Sequence, residues 1–123
     1  MLKLILFVGV GSAVGGVARF LIGRWVHASW PSAFPLGTFL INILGCFLIA
    51  VIYGWSIKGY LSDETRLMLT TGFCGGFTTF STFAIENIDL IRSGHVGQAL
   101  AYTFASVILG IGAAMIGMNL TGH

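Results

Sequence analysis

One run of twelve residues concentrates the groups that could handle an ion: Gly72-Phe73-Cys74-Gly75-Gly76-Phe77-Thr78-Thr79-Phe80-Ser81-Thr82-Phe83. Glycine costs about 1 kcal/mol relative to alanine inside a helix, so Gly75-Gly76 followed by two threonines makes a poor helix interior. A break there would free carbonyls and amides, which a bilayer tolerates only where they are buried in protein or line a cavity. Close packing is the competing use of these glycines, because Gly72 and Gly76 form a GxxxG pair. Phe80 and Phe83 lie three apart and share one side of a helix, with Thr79, Thr82 and Glu86 at related spacings. Aromatic rings carry a positive edge. Ring edges beside hydroxyl donors can hold an anion that a full positive charge would bind too tightly to release. The expected chemistry is therefore ion binding and conduction.

Three other runs carry polar groups. Thr38 and Asn42 are one turn apart, with Gly45 three residues on. Asn42 offers two N–H donors. It suits an ion, and equally an interhelical bond of about 0.6 kcal/mol. Tyr102, Ser106 and Gly110 share a face, with Thr103 adjacent; such hydroxyls often bond their own backbone. Arg19 follows Gly15-Gly16 and is expected to snorkel to an interface; its other use is a fixed charge in a vestibule that draws anions in. Asp63 and Glu64 fall in a loop, Glu86 and Asp89 near the end of a run, and His27, His95 and His123 at loops or the terminus. No phosphate-binding GxxxxGK[ST] motif and no nucleophile–base–acid set is present, which points to passive conduction and not to an enzyme. Cys46 and Cys74 sit in apolar runs as small hydrophobes, with no spacing that suggests a metal or a disulfide framework.

The elements that position these groups follow from composition. Apolar residues make up 56% of the 123 and charged residues 8%, and the mean hydropathy is +0.95. A soluble domain has about 25% charged residues, so this chain must face lipid. Its net charge of +2 forms no basic patch and gives no reason to expect nucleic acid. A crossing helix needs about 20 apolar residues. The whole chain, 1–123, reads as one all-α transmembrane domain of four helices, with spans at about 3–26, 34–57, 66–91 and 96–119. The first run outlasts the apolar core of a signal peptide and lacks a clear cleavage site, so it is expected to be retained. Short connections make neighbouring helices antiparallel. Lys3, Lys58 and Arg66 fall on one side, and Arg24 and Arg92 on the other, with Arg19 if it reaches that surface. The usual excess of positive charge on the inner side is missing. Such a chain can insert both ways, and two copies can then pair antiparallel.

The chain resembles the Fluc/CrcB family of small fluoride channels. The resemblance lies in Gly15-Gly16-Val17-Ala18-Arg19-Phe20, in Gly37-Thr38-Phe39-Leu40-Ile41-Asn42-Ile43-Leu44-Gly45-Cys46-Phe47, and in the Gly72–Phe83 run, in family order and spacing. The third motif is the most specific. The resemblance implies a dual-topology antiparallel homodimer in the bacterial inner membrane, a break in the third helix, and two pores along the dimer interface. It implies a passive channel that exports fluoride and confers fluoride resistance. It also implies a structural sodium ion at the dimer centre, held by the main-chain carbonyls of Gly75 and Thr78, and no organic cofactor. Carried over, the paired phenylalanines are Phe80 and Phe83, the pore asparagine is Asn42, and the vestibule arginine is Arg19. The polar track takes in Ser81, Thr82 and Tyr102, with Ser106 and Glu86; Thr79 and Thr38 stand beside it.

Two other classes compete. A small four-span multidrug exporter is also a tiny antiparallel dimer, but needs a carboxylate inside its first span, where this chain has Arg19. A non-transporting assembly subunit explains the glycines but not the Phe/Thr/Ser stripe with Asn42.

Overall fold

The computed structural model describes residues 1–122, whose regular elements are all helices; His123 lies outside the described residues. Helix α1 runs Leu2–Ser29 and α2 runs Leu36–Ile57. The third stretch is built in pieces: α3 (Asp63–Leu67), a π-helical segment (Met68–Cys74), a single turn α4 (Gly75–Phe77) and α5 (Phe80–Arg92). Helix α6 runs Val96–Leu120. Helices α1, α2 and α6 are each long and apolar enough to cross a membrane.

Local chemistry sets the ends. Ser62 caps α3 by accepting the Thr65 N–H at 3.2 Å, and Thr79 caps α5 by accepting the Thr82 N–H at 3.3 Å. Helices α2 and α5 stop in the same way. The N–H of Tyr60 bonds Trp55 O and that of His95 bonds Leu90 O. The residue between, Gly59 at φ 78° or Gly94 at φ 85°, takes the left-handed conformation that closes the helix. Pro35 precedes α2, and Trp30 packs edge-on against Trp25 at 5.7 Å.

Two seams hold the bundle. Helix α1 lies along the π-helical segment and α4, and α2 lies along α6. The first seam is backbone against backbone. A Cβ on Gly11 would overlap Met68 O, one on Gly15 would overlap Phe73 O, and one on Gly72 would come within 2.9 Å of Val8 O. Small residues permit this approach, and in lipid such packing replaces the hydrophobic effect as the force between helices. In the second seam, a Cβ on Gly117 would meet Phe47 O at 2.7 Å, and Gly54 leaves room for the buried Thr121. An aromatic cluster joins α2, α5 and α6: fully buried Tyr102 packs on Phe83 at 4.9 Å, Phe34 at 5.4 Å and Phe39 at 6.3 Å.

Large apolar side chains cover the outside, among them Ile5, Val10, Val14 and Leu21 on α1 and Ile108, Ile111 and Met115 on α6. Water would not sustain such a surface. The chain is a multi-pass membrane protein.

Candidate functional site

Between α4 and α5 the backbone leaves the helix at two residues. Thr78 sits at φ −88°, ψ 158° and Thr79 at φ −151°, ψ 121°. The glycine pair is itself helical, so the extended residues are the β-branched threonines, which favour that geometry. The two glycines do different jobs. Gly76 fits against α1, where a Cβ would approach Ser12 O at 2.5 Å. Gly75 is exposed, and its Cβ would meet only Thr70 O at 3.8 Å.

Asn42 closes one side of this non-helical pair. Its Nδ2 donates to Thr79 O at 3.1 Å and its Oδ1 accepts the Thr79 N–H at 2.9 Å. One side-chain amide thus satisfies both backbone groups of a residue that no helix serves, and one N–H is left over. Replacing Asn42 with aspartate keeps the acceptor for the Thr79 N–H but sets an acceptor against Thr79 O. Unsatisfied buried groups cost about 1–3 kcal/mol. A lower melting temperature in detergent and faster amide exchange at Thr79 are the expected results, and the alanine variant should behave alike.

Arg19 reaches the other side. Its Nε donates to Gly76 O at 3.1 Å, and the side chain is half-buried. This differs from the expected snorkelling: the sub-helix end offers a carbonyl that a guanidinium can satisfy closer than water. Arg19 also lines a cavity of about 460 Å³ with Arg24, His27, Thr38, Thr79 and Thr82. Arg24 stands 5.7 Å from the Phe20 ring centroid, within cation–π range.

The phenylalanines diverge in setting. Phe80 and Phe83 have ring centroids 5.7 Å apart. Phe83 is half-buried in the Tyr102 cluster, whereas Phe80 is 79% exposed. Phe80 borders a cavity of about 510 Å³ with Asn42, Gly45, Cys46, Cys74, Gly75, Thr78 and Thr79. Beside it, Thr79 Oγ1 donates to Thr82 Oγ1 at 3.1 Å and lies 3.5 Å from Ser81 Oγ. Farther along, Tyr102 Oη donates to Glu86 Oε1 at 3.2 Å. One turn beyond Tyr102 on α6, the Ser106 hydroxyl oxygen is buried without a hydrogen-bond partner among the described residues. Thr38 and Glu86 also line a third cavity of about 430 Å³, with Asp89 and His27.

Thr78 directs both its N–H (3.0 Å) and its hydroxyl (2.8 Å) to Cys74 O. Among the described residues no side-chain or turn N–H is bonded to the carbonyls of Gly75 or Thr78. Oxygen donors of this kind suit a hard cation, and sodium is one.

Sequence reasoning did not single out Asn87, Arg24 or His27. Asn87 Nδ2 donates to Phe83 O at 3.1 Å, and its Oδ1 accepts from Thr103 Oγ1 at 3.1 Å, tying α5 to α6. Its place one turn beyond Phe83 was the available signal, the same kind of spacing that picked out Thr38 and Asn42.

Comparison with known families decides the relationship. Residues 6–118 match the model described as "CrcB-like protein, Camphor Resistance (CrcB)". The chain belongs to the CrcB family. A relative from Thermus thermophilus is 44% identical, over 95% of this chain and 92% of its own. One from Oceanobacillus iheyensis is 45% identical, over 94% and 89%. A third, from Azobacteroides pseudotrichonymphae, is 40% identical over 98% of both chains. All three carry the name "Fluoride-specific ion channel FluC". CrcB relatives are ion channels and not enzymes.

Proposed function

We propose that this chain forms a passive fluoride-selective channel of the bacterial inner membrane, built as an antiparallel homodimer with two pores at the subunit interface. The observation that carries the reading is the constellation at Thr78-Thr79: extended backbone held by Asn42, flanked by the Phe80–Phe83 pair and the hydroxyls of Thr79, Ser81 and Thr82. Full-length relatives named as fluoride channels support the same ion.

Fluoride is small and strongly hydrated, so conduction requires that its water be replaced donor for donor. The spare N–H of Asn42, the hydroxyls of Ser81, Thr82 and Tyr102, and the ring edges of Phe80 and Phe83 supply donors without a full charge that would trap the anion. Ser106, whose hydroxyl has no partner among the described residues, extends this polar line along α6. Arg19 and the Glu86 carboxylate bound the line at its vestibules, one concentrating the anion and the other accepting the Tyr102 hydroxyl. No fuel is needed. About 2.3 kcal/mol per charge per 100 mV drives an anion out of a negative interior, which makes the channel a route for fluoride resistance.

The second copy follows from what one chain leaves open. Phe80, Gly75 and Thr78 line an open cavity that this chain does not close. An inverted partner would close it and contribute a matching carbonyl pair. Sodium bound there would pin the two breaks together as a structural ion. The charge tally across the two sides, which shows almost no bias, supports insertion in both orientations.

Purified protein in potassium-loaded liposomes, clamped with an ionophore and followed with a fluoride electrode, tests the reading. Rapid fluoride release with chloride retained is the expected result. Well-folded protein that releases no fluoride would overturn it.

A further inference from the structure

We infer that Arg19 is a positioning residue: its directed Nε–H bond to Gly76 O, more than its charge, fixes the shape of the non-helical segment on which conduction depends. The inference rests on the channel reading and extends it to a residue for which that reading needs only charge.

Helix α4 is the last turn of one unbroken helical stretch, 63–77, and the helical bonding ends at the Thr78 N–H. Its final carbonyls have no following turn to serve them and must be satisfied otherwise. Cys74 O receives two bonds from Thr78. Gly76 O receives the Arg19 Nε–H at 3.1 Å, across 57 residues of sequence. The carbonyls of Gly75 and Thr78 have no bonded donor among the described residues. Without Arg19, Gly76 O would be a further bare acceptor at the end of this helix.

The platform for this bond is rigid. Gly15, one turn before Arg19, touches the Phe73 carbonyl, and Gly76 touches the Ser12 backbone. The backbones of α1 and α4 therefore cannot slide past each other to relieve a lost bond. Asn42 holds the far side of the same segment from α2. The two extended threonines are thus fixed between two side chains of different helices, one gripping the end of α4 and the other the start of α5. A guanidinium can serve both purposes at once, because it presents five donors in a planar fork. Nε takes the carbonyl while the side chain still lines the cavity of Thr79 and Thr82. Lysine keeps the charge but is a flexible point donor without the fork.

Arg19→Lys and Arg19→Gln separate geometry from charge. Each variant would be measured for fluoride efflux at low and high ionic strength, and for amide exchange at Phe77–Ser81 against that in α6. The expected result is that the lysine variant loses roughly tenfold or more of its flux at every salt concentration, with a salt dependence like that of the parent. Exchange should rise at Phe77–Ser81 and stay unchanged in α6. Lysine conducting like the parent, with unchanged exchange, would overturn the inference and leave Arg19 a charge alone. Exchange rising throughout α6 as well would also overturn it, as a general loss of fold. Should the parent protein conduct no fluoride, the channel reading would fall, while the exchange comparison would still decide whether Arg19 holds the segment.

Discussion

Phe80→Ile is expected to reduce fluoride flux to the background of protein-free liposomes while leaving the chain folded. The two effects separate because Phe80 is 79% exposed in the single chain and contributes little to its packing. Isoleucine has similar bulk but no electropositive edge. Phe83→Ile should abolish flux as well, but not cleanly. Phe83 packs 4.9 Å from the fully buried Tyr102 ring, so its replacement should also cost about 1–2 kcal/mol of stability. Efflux traces paired with thermal unfolding in detergent check both. Undiminished flux in the Phe80 variant would remove the ring from the ion path.

The second large effect concerns neighbours with opposite demands. Gly76→Leu should prevent folding, because even a Cβ at that position approaches the Ser12 carbonyl at 2.5 Å and the α1 backbone has nowhere to go. Gly75→Leu should leave the single chain folded, since the nearest atom to a Cβ there is Thr70 O at 3.8 Å. Any loss in that variant must come from something outside the chain. On the proposed dimer and sodium site, size-exclusion chromatography should therefore show an intact monomer where the parent gives a dimer, and added sodium should stabilise the parent but not this variant. A Gly75→Leu variant that still dimerises would move the second copy to another face.

The elements were readable because their signals are cumulative. Runs of apolar residues long enough to cross a bilayer, with turn residues between them, pointed to long apolar helices, and α1, α2 and α6 are such helices. The third stretch was harder. Its glycine pair marked the unstable region, but glycine tolerates both helix and break; Gly76 stays helical packed against α1, Gly75 stays helical beside it, and the extended residues are Thr78 and Thr79. The π-helical turn at Met68–Cys74 leaves no residue signature of its own. Asn42 was identifiable as a polar residue in an apolar helix, yet its partner 37 residues away was not, because a bond to backbone has no sequence identity to match. The same holds for Arg19: an arginine beside small residues suggests a charge near an interface, and only the fold brings a carbonyl to its Nε.

If the proposed dimer forms, the bare carbonyls of Gly75 and Thr78 also bear on the life of a chain before it pairs. In hydrocarbon each unsatisfied backbone group costs several kcal/mol. A solitary copy should therefore be poorly solvated by lipid at its midpoint, and most prone to open locally where its helix is already interrupted. Pairing would then be driven by polar backbone seeking satisfaction and not by apolar surface, of which lipid already covers plenty. On the proposed dual topology, copies left unmatched by unequal insertion would be the natural substrates of membrane quality-control proteases.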